Sequence, residues 1–404
     1  MRFSNLTQRV VGRGAEAWQV HFLAQQKQRA GADVIFLTVG EPDFDTPSLV
    51  VDEAVRSMRA GNTHYTDIVG FPRLREAIAG WHEKTTGQRV SPEQVVVGAG
   101  AQNALFSTLQ VLVGAGDEVI TPDPRYSTYE AVVGATGATL VSVPLVPERG
   151  FHLDLQALAA AITPRTRVIL LNSPHNPTGA AMSRADMEAV AALAQRHDLW
   201  LVSDEVYAAL SFESEHVSPA SLPGMAERTV VVSSLSKSHA MTGWRVGWAI
   251  GPLELARHLH NLFLCMLYGS PGFVQDAAIV AIEQASNEVE TMRETYRRRR
   301  DLVAPWLDRL PGLGCRLPEG GMFCMADCRG SGLSSQDFAI RLLEEESVAI
   351  LPGDGFGRQA EGFLRISLGL PDATLAEACR RIEAFCGRLA ASGLSAAEAR
   401  RARG

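Results

Sequence analysis

Short apolar runs alternate with helix-like segments between about residues 94 and 251, and this alternation most constrains the fold. The runs are V-V-V-G at 95–98, D-E-V-I-T at 117–121, R-V-I-L-L-N at 167–172, L-W-L-V-S-D-E at 199–205, T-V-V-V-S-S at 229–234 and V-G-W-A-I-G at 246–251. Apolar strands that alternate with helices are typical of a largely parallel sheet covered by helices on both faces. The sequence therefore predicts an α/β fold, in which ligands bind at the carboxyl ends of the strands.

The last third of the chain has a different pattern. Long helical stretches at about 274–309 precede the strand-like G-G-M-F-C-M-A-D, the helical S-S-Q-D-F-A-I-R-L-L-E-E-E and the strand-like F-L-R-I-S-L. This mixture predicts a smaller α+β domain beside the parallel sheet. We predict an N-terminal arm with part of the small domain at 1–48, a large domain at 49–285 and a C-terminal small domain at 286–404.

Charge and hydropathy argue against two classes of partner. The net charge is −7 and the isoelectric point is near 5.8, which favours neither nucleic acid nor an anionic membrane. We find no run of about 18 apolar residues and no apolar core of a secretory signal. The run Arg297–Arg300 is the one basic cluster, and its surroundings predict a charged, solvated helix face.

The six cysteines form no C-x-x-C pair and have no histidines at zinc spacing. We therefore expect free, mostly buried thiols, no metal site and a cytoplasmic protein.

Two strand ends carry groups suited to an anion. After the strand at 95–98, the turn G-A-G and the helix that follows leave backbone N–H groups free to bind phosphate. After the strand at 229–234 come serines and, further on, Arg245, whose fork can donate two parallel hydrogen bonds to a phosphate. The first turn alone is also compatible with a simple tight turn, or with an incomplete dinucleotide-binding fingerprint.

Two further strand ends carry an acid and an amide. Asp204 and Tyr207 follow the apolar run L-W-L-V-S at 199–203, and Asn176 lies between two prolines after the strand at 167–172. Asp204 could cap a helix, or it could face a cationic ring nitrogen from a partly buried pocket.

The strand at 229–234 leads to a lysine in a chain that seldom uses lysine. Only Lys27, Lys84 and Lys237 occur among 38 basic residues, so 35 are arginine. A buried primary amine with a lowered pKa is a nucleophile toward a carbonyl, whereas a guanidinium stays protonated. Phosphate, ring nitrogen, phenolic oxygen and aldehyde are together the groups of pyridoxal phosphate, for which the protein supplies a lysine and an acid.

Six ordered motifs carry a family resemblance across nearly the whole chain. They are V-G-E-P-D-F-D-T-P at 39–47, H-Y-T-D-I-V-G-F-P-R-L-R at 64–75, N-S-P-H-N-P-T-G at 172–179, S-D-E-V-Y at 203–207, S-L-S-K-S-H-A-M-T-G-W-R-V-G from Ser234, and F-L-R-I-S-L-G at 363–369. The chain resembles the class I and II aminotransferases, which have the aspartate aminotransferase fold, fold type I of the pyridoxal-phosphate-dependent transferases. The resemblance implies a ping-pong transfer of an amino group to a 2-oxo acid through pyridoxamine phosphate.

The resemblance also implies roles for individual residues. Lys237 matches the lysine that bonds the cofactor and moves a proton between the substrate Cα and the cofactor. Asp204 matches the acid that keeps the pyridine nitrogen protonated. The other matches at the cofactor are Asn176 and Tyr207 at the ring oxygen, Tyr126 stacked on the ring, and Gly100, Ala101, Gln102, Ser234, Ser236 and Arg245 at the phosphate.

Further matches concern the substrate and a second subunit. Arg365 matches the arginine that binds the substrate α-carboxylate, while Gly40 and Asn176 match residues lining the substrate pocket. Tyr65 resembles the tyrosine that reaches the phosphate in the neighbouring subunit, which implies a homodimer with shared active sites.

Finer motifs resemble aminotransferases that use L-arginine and pyruvate. These are H-V-S-P-A-S-L-P-G-M-A and L-C-M-L-Y-G-S-P, and the latter lacks the arginine with which dicarboxylate-specific relatives bind a second carboxylate. A guanidinium substrate needs an acid near the pocket mouth, and Glu41 and Asp43 are candidates by position. Both acids also belong to the general family motif, so the sequence does not choose between them.

Other functions remain open at this point. An aminotransferase of other specificity (aspartate, aromatic or broad) and a pyridoxal-phosphate-dependent C–S β-lyase both use the same lysine. A cofactor-binding transcriptional regulator would need a DNA-binding module, but only about 35 residues precede the first motif. A nicotinamide-dependent dehydrogenase would leave Lys237, Asn176 and Tyr207 without a role.

Overall fold

The computed structural model of the chain describes residues 2–12 and 18–393. Its strands, numbered β1 to β14 along the chain, are Ile35–Phe36, Val95–Gly98, Glu118–Asp123, Thr139–Val146, His152–Leu153, Thr166–Asn172, Trp200–Asp204, Thr229–Ser234, Gly247–Ile250, Gly314–Cys315, Phe323–Asp327, Val348–Ala349, Leu351–Pro352 and Phe363–Ser367.

The α-helices of the described residues, numbered α1 to α13, are Leu6–Arg9, Gln19–Arg29, Ser48–Arg59, Pro72–Thr86, Ala101–Leu112, Tyr129–Thr136, Leu155–Ala161, Arg184–Arg196, Leu253–Met266, Gly272–Gln284, Ser286–Asp308, Ser335–Glu346 and Asp372–Ala391.

The central sheet has eight strands in the order β2-β9-β8-β7-β6-β3-β4-β5. Strands β8, β7, β6, β3 and β4 pair in parallel, while β9 runs antiparallel between β2 and β8. The mainly parallel sheet predicted from the apolar runs is confirmed. The apolar pattern did not predict β4, because its residues alternate between exposed and buried near the sheet edge and include Pro144.

A second region contains a four-stranded antiparallel sheet, β10-β11-β14-β13, and the parallel pair β1 and β12. One hydrophobic cluster joins residues 20–37 to residues 292–389, so the segment before α3 packs with the end of the chain. Separate clusters pack helices against the central sheet. The small α+β region expected from the last third is therefore present, and it includes β1 and α2.

The arginine run in α11 does not form a wholly solvated face. Arg299 and Arg300 are only 5% and 3% exposed. Arg299 donates to both carboxylate oxygens of Asp43 over 2.6 and 2.8 Å, and Arg300 pairs with Glu213 and Asp301. The prediction was wrong for these two residues because each has a carboxylate partner that is distant in sequence, Asp43 for Arg299 and Glu213 for Arg300.

All six cysteines are free, and all except Cys265 are buried, as predicted. Among the described residues, no helix is both long enough and apolar enough to cross a membrane. Within the same residues, no cluster of three or more His, Cys, Asp or Glu side chains is arranged to hold a metal ion.

Candidate active site

A cavity of about 340 Å³ lies where the ends of β6, β7 and β8 meet the small α+β region. In-register pairing brings Asn172 at the end of β6 beside Asp204 at the end of β7, and β8 ends at Ser234. Twelve of the fourteen residues predicted from the sequence line this cavity: Gly40, Ala101, Gln102, Tyr126, Asn176, Asp204, Tyr207, Ser234, Ser236, Lys237, Arg245 and Arg365.

The amine of Lys237 lies inside this cavity and donates to the backbone carbonyl of Gly40, with 2.6 Å between Nζ and O. The pKa of Lys237 is lowered to about 8, mainly by burial. The charges of Arg365 and Arg245 contribute to this shift, while Glu41 and Asp204 oppose it. A substantial fraction of this amine is therefore neutral near pH 8 and available as a nucleophile or base.

Gly40 has to be glycine at this point because of the ring of Phe323. A Cβ atom on residue 40 would collide with the end of that ring. The close approach lets the backbone carbonyl of Gly40 reach Lys237 from the wall of the cavity.

Asp204 is the buried acid of the site and is 7% exposed. Burial raises its pKa to about 6, although a hydrogen bond from Tyr129 and one from the backbone of Val206 oppose the shift. The Tyr129 hydroxyl donates to Oδ2 over 2.7 Å, and the Val206 N–H donates to Oδ1 over 3.3 Å. A cation brought to this carboxylate would keep it ionised.

A place suited to an anion lies where the amino end of α5 meets Arg245. Gly100 precedes α5 with φ of +85°, and a Cβ on it would collide with the Arg245 guanidinium. Arg245 itself has φ of +53°, an unusual value for a residue with a side chain, and it donates to the carbonyls of Thr242 and Ala99. The serine hydroxyls of Ser234 and Ser236 line the same cavity.

A chain of hydrogen bonds crosses the site from Tyr207 to Arg365. The Asn176 amide donates to the Tyr207 hydroxyl over 3.4 Å, and its oxygen accepts from Arg365 over 3.2 Å. Burial raises the pKa of Tyr207, so this hydroxyl stays protonated. The pair can therefore offer an amide N–H and a phenolic O–H to a bound oxygen.

Arg365 is buried without a carboxylate partner. It is 3% exposed, and no acid of the described residues forms an ion pair with it. Its guanidinium lies 4.3 Å from the ring centre of Phe323 and 4.8 Å from that of Phe356, and its Nε has no hydrogen-bond partner. Burial lowers the pKa of Arg365 to about 10. A buried cation of this kind is stabilised when an anionic ligand enters.

Tyr65 lies outside the cavity of its own chain. It is 87% exposed and packs edge to face against Tyr268, with 5.0 Å between ring centres. Gly100 also does not line the cavity but shapes the turn beside Arg245.

Several residues of the site were not predicted from the sequence. Tyr129 follows the selected Tyr126 in P-R-Y-S-T-Y, yet only the fold shows that its hydroxyl reaches Asp204. Asn172 ends β6, where it accepts from the Asn176 N–H over 2.8 Å and donates to the Asp204 carbonyl over 2.9 Å. Its position at a strand end was a usable signal. Trp18 and Phe323 line the cavity from distant segments and gave no signal in the sequence.

The residues of the cavity fit pyridoxal phosphate. The turn at Gly100, the two serines and Arg245 could hold a phosphate. Asp204 is an acid suited to a pyridine nitrogen, and Lys237 could supply the amine. The unpaired Nε of buried Arg365 leaves a place for a substrate carboxylate.

Fold and site together define the class of pyridoxal-phosphate-dependent transferases of fold type I. Residues 32–382 match the family model of the class I and II aminotransferases. The chain is 56% identical to arginine–pyruvate transaminase AruH of Pseudomonas aeruginosa, with 96% of this chain and 98% of the relative covered. It is 40% identical to an aspartate/prephenate aminotransferase of Cereibacter sphaeroides, with 91% of this chain and 94% of the relative covered.

Solved structures agree with the sequence relatives. An aspartate aminotransferase from Thermus thermophilus with maleate superposes with a TM-score of 0.90 at 37% identity, covering 95% of this chain and 99% of that chain. The aspartate aminotransferase from Rhizobium meliloti gives the same TM-score at 36% identity, with 96% and 99% covered.

The chain belongs to the class I and II aminotransferase family. It is a pyridoxal-phosphate-dependent aminotransferase, and its substrates are amino acids and 2-oxo acids.

Proposed function

We propose that this aminotransferase moves the α-amino group of L-arginine to pyruvate, giving 2-oxo-5-guanidinopentanoate and alanine. The 56% identity to an arginine–pyruvate transaminase over 96% of the chain supports these substrates. Among the described residues lining the cavity, the cations are Lys237, Arg245 and Arg365. We assign Lys237 to the bond with the cofactor, Arg245 to the phosphate and Arg365 to the substrate α-carboxylate. No cation of the cavity lining then remains to bind the side-chain carboxylate of aspartate.

The observation that carries the proposed reaction is buried Arg365 without a carboxylate partner, in the same cavity as Lys237. An α-carboxylate on Arg365 would satisfy the open Nε and turn an unpaired buried charge into a paired one. Lys237 lines the same small cavity. We therefore infer that a substrate amino acid bound to Arg365 has its Cα within reach of Lys237 Nζ.

Pyridoxal phosphate, when bound, supplies a carbonyl that takes up the amine and a ring that spreads the negative charge from Cα. Lys237 Nζ would take the proton from the substrate Cα and pass it to the former carbonyl carbon of the cofactor, so that the amino group stays with the cofactor. The carboxylate of Asp204 would stabilise the protonated pyridine nitrogen at the floor of the site, and Tyr129 donates a hydrogen bond to that carboxylate. Asn176 and Tyr207, which are hydrogen-bonded to each other, would donate to the oxygen substituent of the cofactor ring.

The phosphate ligands we propose are the residues around the start of α5 and the end of β8. They are Gly100, Ala101, Gln102, Ser234, Ser236 and Arg245, while Tyr126 packs on the ring. Gly40 lines the substrate side of the cavity, where its carbonyl accepts from Lys237.

We propose that the active form is a homodimer in which Tyr65 completes the partner's phosphate site. Its 87% exposure and its contact with Tyr268, itself 52% exposed, support a role outside its own chain. Free thiols at all six cysteines agree with a reducing, cytoplasmic location. The separate hydrophobic clusters support a large domain at 49–285 flanked by small-domain segments at 1–48 and 286–404, of which residues 1, 13–17 and 394–404 lie outside the described part.

The test is a panel of amino donors with pyruvate as acceptor. We expect L-arginine among the best donors and aspartate among the poor ones. A panel in which arginine is a poor donor would overturn the specificity and leave the aminotransferase class intact. The same protein, given an amino acid without an oxo acid, should stop after one equivalent of product, whereas a β-lyase would continue to turn over.

A further inference from the structure

Trp18 and Glu41 line the cavity together from two separate segments of the small region. Trp18 precedes α2, and Glu41 directly follows Gly40, whose carbonyl accepts from Lys237. The carboxylates in the cavity lining are Glu41 and Asp204, and Asp204 is engaged by Tyr129 at the buried floor. We propose that Glu41 and Trp18 form the subsite that binds the cationic end of the substrate side chain.

The structure separates Glu41 from Asp43, which the sequence left equivalent. Asp43 is bound by Arg299 through both of its oxygens, and its side chain is 14% exposed. Asp43 therefore has its charge neutralised inside the protein and does not line the cavity. Glu41 is exposed and accepts a hydrogen bond from Thr242 at Oε1 over 2.5 Å, while no bond from a described residue occupies its Oε2.

Trp18 is held at the cavity by a defined contact. Its ring meets His21 edge to face with 5.2 Å between centres, and His21 Nδ1 is hydrogen-bonded to the Thr38 hydroxyl over 2.7 Å. The Thr38 carbonyl in turn accepts from Arg365 over 2.5 Å. The aromatic group is thus tied to the residue that we assign to the substrate α-carboxylate.

The chemistry of this subsite matches a guanidinium. A planar guanidinium can donate two parallel hydrogen bonds to a carboxylate and can stack on an indole face. Glu41 also exerts the strongest attraction of any single charge on Lys237, which agrees with its position close to the reacting amine. This inference rests on the proposed arginine donor.

The experiment compares kcat/KM for L-arginine and L-citrulline, with pyruvate as acceptor. Citrulline has a neutral urea group in place of the guanidinium and nearly the same shape. In Glu41→Gln we expect the arginine-to-citrulline ratio to fall by about 10- to 100-fold, as for the loss of a hydrogen bond between charged groups. In Trp18→Leu we expect a fall of about 2- to 5-fold. Glu41→Asp should restore part of the ratio.

The arginine-to-citrulline ratio is insensitive to changes that Glu41 variants cause in the reactivity of Lys237, because such changes alter kcat/KM for both donors by the same factor. Asp45→Asn is the matched control, since Asp45 is exposed on the same loop and outside the cavity lining, and it should leave the ratio unchanged. A second measurement is competitive inhibition by 5-guanidinopentanoate, which has both charged ends and no amine. Its inhibition should weaken in Glu41→Gln by the same factor as the ratio.

Two negative outcomes have different meanings. A wild-type protein that does not use arginine would overturn the proposed donor and this subsite with it. A wild type that uses arginine, with an unchanged ratio in Glu41→Gln, would overturn the subsite alone.

Discussion

The Tyr129 hydroxyl donates a hydrogen bond to Asp204 Oδ2 over 2.7 Å at the buried floor of the active site. The bond joins α6 to the end of β7, two elements that are far apart in sequence. Because the donor favours the ionised acid, it opposes the rise in the pKa of Asp204 that burial causes. Tyr129 therefore helps to keep a negative charge on Asp204, the acid that we assign to the pyridine nitrogen.

Replacing Tyr129 with Phe should weaken cofactor binding. The variant removes the donor and raises the pKa of Asp204 further, while it keeps the edge-to-face contact of ring 129 with Tyr126. Loss of a hydrogen bond to a charged group predicts a Kd for pyridoxal phosphate that is about 10-fold higher or more. Titrating the apoprotein with the cofactor by fluorescence measures this Kd, and an unchanged value would show that Asp204 does not need the bond.

Replacing Lys237 with Arg should abolish transamination while keeping a positive charge. A guanidinium cannot act as a base at neutral pH, so loss of proton transfer alone predicts a fall in kcat of at least about 10²–10⁴-fold. In the wild type, borohydride should fix the cofactor covalently to residue 237, as mass spectrometry of the peptide can show. Covalent label on Lys27 or Lys84 instead would contradict the assignment.

Replacing Arg365 with Met should separate binding of the α-carboxylate from binding of the side chain. We expect kcat/KM for arginine and for alanine to fall by a similar factor, about 10- to 100-fold, because both lose the same charged hydrogen bonds. Agmatine lacks the carboxylate, so its binding as an inhibitor should change little. The apoprotein should also become more stable to urea, since an unpaired buried cation is replaced by an apolar side chain. Equal stability of the two apoproteins would argue against an unpaired charge.

The stability of the apoprotein should depend on pH through Asp204. Its pKa is raised from 3.8 to about 6, mainly by burial, so the folded chain holds this proton more tightly than the unfolded chain does. The stabilisation is complete below pH 3.8 and is lost as the pH rises to about 6, a change of about 3 kcal/mol. Urea unfolding of the wild type and of Asp204→Asn at several pH values measures this slope, which the variant should lack. Parallel curves for the two proteins would show that Asp204 does not titrate in this range.

Replacing Asp43 with Asn should destabilise the protein without changing its donor preference. The change leaves Arg299, which is 5% exposed, with only Asp372 as a charged partner. Because Asp372 still pairs with Arg299, we expect a loss of about 1.5–3 kcal/mol in the free energy of unfolding, as for a lost hydrogen bond between charged groups. The arginine-to-citrulline ratio should stay at the wild-type value, and a marked fall would return Asp43 to the list of substrate-binding acids.

Much of the fold was predictable because the strands are apolar along their whole length. The runs at 95–98 and 229–234 coincide with β2 and β8, and the run at 199–205 contains β7. Strand β4 gave a weak signal because only alternate residues are buried near the edge. Strand β9 runs antiparallel to both of its neighbours, β2 and β8. A run of apolar residues predicts a strand but not the direction in which it pairs.

The residues of the site were largely predictable because parallel strands end at the same edge of the sheet. Asp204 is the last residue of β7, while Asn176 and Lys237 follow the ends of β6 and β8, and ligands of a parallel sheet bind at this edge. Tyr129 could not be assigned, because its partner lies 75 residues away.

The sequence by itself determined the cofactor chemistry of this protein, through a rare lysine, an acid and a phosphate turn at the ends of apolar strands. The tertiary structure decided which charges are free to act. Arg299 and Asp43 neutralise each other, whereas Arg365 is buried without a carboxylate partner and Glu41 lines the cavity without an arginine partner among the described residues. These outcomes depend on which distant side chains meet, and the free energy of a charge depends on its burial and its partner.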